Sequence, residues 1–133
     1  METGIKGYIE VTVNEKNIAS SLGSGVVDVF ATPCLIGSME EAAKTSVAPF
    51  LEEGMTTVGT KINVSHDAAT PIGMTVRVES ELTEIDGRRL VFAVKAYDDC
   101  GLVGQGTHER FIVRLDRFME KANAKKAKIG DNK

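Results

Sequence analysis

Two adjacent carboxylates, Glu40 and Glu41, stand in the stretch FATPCLIGSMEEAAKTSVAPFLEEG, whose apolar residues recur at helical spacing. At 100° per residue from Leu35, the residues Ile36, Met39, Ala42, Ala43, Ser46, Val47 and Phe50 fall within an arc of about 140°. That stripe is a core face. Glu41 and Lys44 lie opposite it, whereas Glu40 lies about 20° beyond Val47, at the border of the apolar arc. A carboxylate at such a border is costly to bury unless it is hydrogen-bonded or paired, which makes Glu40 a candidate base or nucleophile. The ordinary alternative is a boundary glutamate with its stem on the helix and its head in water, and position alone favours that alternative.

Other residues could join Glu40 in chemistry. His66 ends a row of alternating residues, Val58, Thr60, Ile62, Val64 and His66, that reads as the inward face of a strand. A histidine there can meet the helix packed on that strand and form a Glu/His pair for proton transfer, although a satisfied structural histidine is the commoner case. Thr32, followed by Pro33, reads first as a helix N-cap. Free N–H groups at such a helix start can also hold developing negative charge. Gly59 inside a strand is unusual and admits close approach of a ligand or backbone, or marks a bulge. Cys34, in the first helical turn, is a weaker candidate nucleophile partnered by His66, and a small apolar filler otherwise.

The elements that must position these residues follow from periodicity. Ile5, Gly7, Ile9, Val11 and Val13 alternate with polar or mixed residues as in a half-buried strand, and residues 14–28 carry Asn, Ser and Gly without sustained period. That segment is expected to be a loop with one short helical turn, placed to gate a site. Pro49 and Gly54 close the helix. Period two then runs for about sixty residues: the row ending at His66; then Ile72, Met74, Val76, Val78, Ser80 and Leu82; then an Asp-Gly turn into Leu90, Phe92, Val94 and Ala96. A last strand covers roughly 102–114, and a basic tail over about 116–133 is helical in composition. One apolar-striped helix with four or five antiparallel strands makes an α+β fold in which the sheet packs on that helix.

Composition narrows the function. A chain of 133 residues, 42% apolar, is the size of one globular domain, expected to span 1–133. Its net charge of −3 argues against nucleic acid as a partner. The one basic cluster, Lys121, Lys125, Lys126 and Lys128, reads as a solvated helix end, with contact to a phosphorylated ligand as the alternative. No apolar run is long enough for a membrane span and none follows a charged leader, so a cytoplasmic location is expected. Two cysteines and two histidines 42 positions apart give no metal-ligand pattern, so neither a metal nor a cofactor is expected.

The stretches FATPCLIGSMEEA, VGTKINVSHDAATPIGMTVRVES and GQGTHERFIV together resemble the hot-dog-fold acyl-CoA thioesterases of the fluoroacetyl-CoA thioesterase type, from about Gly7 to Arg114. In that family a threonine, a glutamate and a histidine form the catalytic set. The matching positions are Thr32, Glu40 and His66, with the same separations of 8 and 26 residues. The family's backbone glycine N–H, beside the thioester carbonyl, falls on Gly59. The resemblance implies a hot-dog fold, an antiparallel sheet wrapped around one long central helix. It also implies a homodimer or a dimer of dimers, with active sites at the subunit interface. Glu40 would attack the thioester or activate water, His66 would move the proton, Thr32 would orient or polarise the carboxylate, and the Gly59 N–H would stabilise the oxyanion.

Eight residues of straight helix span about 12 Å. Thr32 and Glu40 therefore share a site only if the helix start departs from ideal geometry or if the two come from different subunits. The positions that carry lid phenylalanines in the fluoroacetate-detoxifying member read Gly23 and Val26 here, which implies a general short or medium acyl-CoA as substrate, with CoA as part of the substrate. A non-catalytic acyl-CoA binding module and a hot-dog hydratase or dehydratase are the alternative readings.

Overall fold

A computed structural model describes residues 1–131. Strand β1 (Lys6–Thr12) leads through a loop to helix α1 (Thr32–Val47), followed by strands β2 (Met55–His66), β3 (Thr75–Asp86), β4 (Arg89–Asp98) and β5 (Gly101–Arg114) and by helix α2 (Leu115–Asp131). The strands form one antiparallel sheet in the order β1-β3-β4-β5-β2, with β1 and β2 at its edges. Helix α1 packs across the sheet, against β1, β2, β3 and β4. The last two residues of the expected helical tail lie outside the described residues. No helix among the described residues is long and apolar enough to cross a membrane.

The apolar stripe of α1 is the centre of the core. Leu35, Met39, Ala42, Ala43 and Val47 have no exposed surface, and they meet Val76, Val78, Leu82, Leu90, Phe92 and Val94 from the sheet. Phe50 does not join them: it is 54% exposed. The α-helix ends at Val47, and Pro49 sits in a 3-10 turn over Ala48–Phe50 that rotates Phe50 off the stripe. Residues 14–28 form a loop with one 3-10 turn at Ala19–Ser21, tied down by isolated bridges of Ile18 to Phe30 and Val29 to Pro71.

The sheet can wrap α1 closely because side chains are missing where it comes nearest. A Cβ on Gly7 of β1 would run into the Ala42 carbonyl of α1 and lie 2.5 Å from Ser80 Oγ; one on Gly104 of β5 would collide with the Ser65 carbonyl and lie 3.2 Å from Leu35 Cδ2. Register shifts at Thr60, at Thr83 and near Tyr97 add the bends that a flat ladder lacks.

The shift at Thr60 corrects the expected face of β2. Val58 and Thr60 do not share a face with Ile62, Val64 and His66. Thr60 is the extra residue between Gly59, opposite Arg110, and Lys61, opposite Glu109, and its hydroxyl donates to the Glu109 carbonyl at 3.2 Å. On the near side of the bulge the inward residues are therefore Thr57 and Gly59, and beyond it Ile62, Val64 and His66. Gly59 both adjoins a bulge and makes room for a neighbour, the two roles that the sequence left open.

Candidate active site

Thr32 is the first residue of α1, and its hydroxyl does not cap the helix. The N-cap is Ala31, in extended conformation and without a side-chain acceptor, and Pro33 follows inside the first turn. Freed from capping, Thr32 Oγ1 shares a hydrogen bond of 2.7 Å with Nδ1 of His66, at the end of β2. The other ring nitrogen of His66, Nε2, is buried and has no hydrogen-bond partner among the described residues. Both side chains open into a recess of about 270 Å³ that continues past Phe30 to Ser24, Gly25 and Val27 of the 14–28 loop. Gly23 in that loop has φ +68°, so a proline there would be strained, and Val26, 94% exposed, does not line the recess.

Glu40, two turns further along α1, belongs to a second cluster. Its side chain is 43% exposed, and its carboxylate lies over Gly59: a Cβ on that glycine would be 2.9 Å from Glu40 Oε2. Beside it stands Arg110 of β5, whose Nη1 is 3.7 Å from Oε2. Arg110 is 5% exposed, and Thr57 takes two of its other donors, with Nε donating to Thr57 Oγ1 at 2.8 Å and Nη2 to the Thr57 carbonyl at 2.9 Å. Nη1 also lies 3.2 Å from Nε2 of His108, whose Nδ1 is 2.8 Å from the Lys61 carbonyl. A carbonyl only accepts, so Nδ1 of His108 carries the proton and Nε2 accepts from Arg110. Burial pushes His108 below the ordinary histidine value, and the adjacent guanidinium pushes the same way, against the pull of the Lys61 carbonyl.

Thr32 and His66 are thus together, Glu40 and Gly59 are together, and the two pairs stand apart. Helix α1 is continuous from Thr32 to Val47, so the pairs are separated by about 12 Å of helix. The helix start supplies no departure from ideal geometry that would merge them. Periodicity does not single out Arg110 and His108, because polar Glu109 and Thr107 flank them and the strand shows no apolar alternation there. Their signal is the register: placing Ile112 inward puts Arg110 and His108 inward too. Cys34 has no hydrogen bond to His66, and burial raises its thiol above the ordinary value, which disfavours the thiolate a nucleophile needs. No group of His, Cys, Asp and Glu among the described residues is arranged to hold a metal ion.

A five-stranded antiparallel sheet wrapped around one helix has a close parallel among known proteins. The profile of the fluoroacetyl-CoA-specific thioesterases matches residues 13–116. The chain belongs to the fluoroacetyl-CoA-specific thioesterase family. It is 46% identical over 98 residues to the fluoroacetyl-CoA thioesterase of Streptantibioticus cattleyicolor, covering 74% of this chain and 70% of that protein. A solved fluoroacetyl-CoA thioesterase superposes with a TM-score of 0.89 at 37% identity, over 94% of this chain and 97% of that one. Threonine variants of a fluoroacetyl-CoA thioesterase are solved with fluoroacetate and with acetyl-CoA. A thioesterase superfamily member from Thermus thermophilus superposes with a TM-score of 0.89 at 28% identity, over 98% and 96% of the two chains. These relatives give the fold its name: it is the hot-dog fold of the thioesterases, with α1 as the enclosed helix.

Two predictions follow from the geometry of this thioesterase-family site. Gly59→Ala places a methyl group against the Glu40 carboxylate and 3.3 Å from both Arg110 Nη1 and His108 Cε1. Turnover should fall by about 10²-fold, the usual cost of moving a reacting group by roughly 1 Å, while thermal unfolding confirms an intact fold. His108 is neutral when folded and binds protons more readily when unfolded, so its contribution to stability is complete above the ordinary histidine value and is lost as pH falls below it. Tm should therefore drop between about pH 7 and pH 5, and His108→Gln should flatten that slope; a slope identical to wild type would assign the pH dependence to other groups.

Proposed function

We propose that the protein hydrolyses the thioester of a short or medium acyl-CoA, releasing the free acid and CoA. The observation that carries this reading is the pairing of Thr32 with His66 and of Glu40 with Gly59, in a chain of this thioesterase family. The relative solved with acetyl-CoA supports an acyl-CoA as ligand, and the small Gly23 and Val26 of the loop support a pocket without selection for a fluorinated acyl group.

In the proposed reaction the acyl carbonyl lies over Gly59, whose N–H stabilises the oxyanion as the tetrahedral centre forms. Glu40 either adds to the carbonyl directly or takes a proton from the water that does. Arg110 keeps that carboxylate aimed, since it is the buried cation next to it. Collapse of the tetrahedral centre breaks the C–S bond, and the departing CoA thiolate receives a proton from His66. Where Glu40 itself has added, water then splits the mixed anhydride, giving its proton to His66 and freeing the acid and the Glu40 carboxylate. With Nδ1 engaged by Thr32, Nε2 is the ring nitrogen that faces the substrate.

A homodimer supplies the missing proximity. Strand β2 is an edge of the sheet, carries both Gly59 and His66, and has a free side for a second copy. A two-fold axis beside β2 would bring Thr32 and His66 of one protomer to Glu40 and Gly59 of its partner.

Free-thiol release from a panel of acyl-CoAs, acetyl and fluoroacetyl to decanoyl, tests the reaction. Wild type should release thiol, and Glu40→Gln should retain ligand affinity with kcat reduced by about 10³-fold or more. Thiol release unaffected by Glu40→Gln would remove Glu40 from the chemistry, and binding without release by wild type would identify an acyl-CoA binding module. Mixing tests the shared site. Thr32→Ala and Glu40→Gln dimers, each inactive, should recover about a quarter of wild-type activity after subunit exchange, because half the dimers become mixed and each mixed dimer holds one intact site. No recovery, with exchange confirmed, would place each site within one protomer.

A further inference from the structure

A cleft of about 380 Å³ lies where the start of α2 passes the ends of β2 and β5, with Met55 and Phe118 among its apolar walls. Four cations line it, Arg88, Arg114, Arg117 and Lys121, against the single carboxylate of Glu52. Arg114 has a loose ion pair with Asp116, Nε to Oδ1 at 3.5 Å, while Arg88, Arg117 and Lys121 have no ion pair among the described residues. On a chain whose net charge is −3, such a gathering of uncompensated cations in one concavity is not the average of its surface. Like charges brought together repel, and an anion between them removes that repulsion.

The position of the cleft relates it to the thioester site. Arg114 lies four residues beyond Arg110 on β5, opposite Met55 of β2, as Arg110 lies opposite Gly59. At about 3.3 Å per residue the two arginines are about 13 Å apart along the strand. A CoA thioester carries its pyrophosphate and its 3′-phosphate at the far end of the pantetheine arm, separated from the carbonyl by a distance of this order. Guanidinium forks match phosphate oxygens, and Lys125, Lys126 and Lys128 extend the positive field along α2.

We propose that this cleft holds the phosphates of the nucleotide end of the acyl-CoA, with Arg117 and Lys121 as its principal contacts. The proposal rests on the thioesterase reading for the substrate's carbonyl position and separates from it by experiment. Arg117 and Lys121 are exposed and far from Glu40 and His66 in sequence, so Arg117→Ala/Lys121→Ala is a variant that should fold. Calorimetric titration of dimeric protein with CoA, and with adenosine 3′,5′-bisphosphate, reads phosphate binding without turnover. Both should bind about tenfold more weakly to the variant, with a smaller dependence on salt than in wild type. In turnover, KM for the acyl-CoA should rise by a similar factor with kcat retained, and KM for the matching acyl-pantetheine, which lacks the nucleotide, should stay constant.

Unchanged affinity for CoA in the variant, or no binding of CoA to wild type, would overturn the proposal, and so would an equal loss for acyl-pantetheine. If wild type binds CoA through the cleft yet hydrolyses none of the thioesters, the cleft stands and the hydrolase reading falls. Thiol release with CoA affinity indifferent to Arg117 and Lys121 would leave the hydrolase and remove the cleft.

Discussion

A guanidinium sealed from water must find acceptors inside the protein, and the way Arg110 finds them organises the middle of this molecule. Thr57 supplies its hydroxyl and its carbonyl, and His108 supplies a ring nitrogen. Those bonds lock the inward faces of β2 and β5 in one register. They leave a positive charge that burial makes expensive and that, among the described residues, Glu40 alone stands near enough to offset. The carboxylate on the border of the α1 stripe is therefore held against the sheet, although nearly half of its side chain remains open to solvent. Removing the acid would leave a buried cation uncompensated; removing the cation would free the acid to turn to water. Each side chain fixes the other, and the glycine beneath them leaves space for both.

That space is one instance of a wider constraint. A sheet that curls around a helix brings backbone against backbone, and at Gly7 and Gly104 a side chain would meet a carbonyl. Gly59 adds a second use of the same device, because the missing Cβ admits a carboxylate instead of another strand. The bulge at Thr60 follows immediately and changes which residues face α1. Were Thr60 paired in regular alternation instead of bulged, the inward row containing Thr57 and Gly59 would continue to Lys61 and Asn63, and His66 would turn to the outer face. The bulge is what lets one strand present both Gly59 and His66 to the same helix.

Much of this was legible in the sequence, for physical reasons. The stripe of α1 and the inward rows of β3 and β4 are buried as their periods require, because apolar periodicity reports directly on which face meets the core. The border position of Glu40 was also readable, whereas Gly59 entered the same site only through the family resemblance. Less accessible was anything set by register between distant strands. Thr32 looked like a cap because capping is a local property, whereas its bond to His66 spans 34 positions. Val58 and Thr60 were placed on the His66 face because alternation assumes no bulge. Arg110 and His108 were hidden by polar neighbours on both faces of β5, where hydropathy carries no phase.

The division of the site follows from the rigidity of α1. Sixteen residues of unbroken helix cannot fold back, so a side chain at the start and one two turns along face different regions of space. The partners they choose on β2 are separated in the same sense, His66 at the end of the strand and Gly59 near its middle. Helix and strand thus act as two rulers that hold a threonine–histidine pair and a carboxylate over a glycine at fixed separation. Chemistry that needs all four groups at one carbonyl must close that gap with a second surface. Among the described residues, the edge of β2, which carries members of both pairs, has no strand beside it.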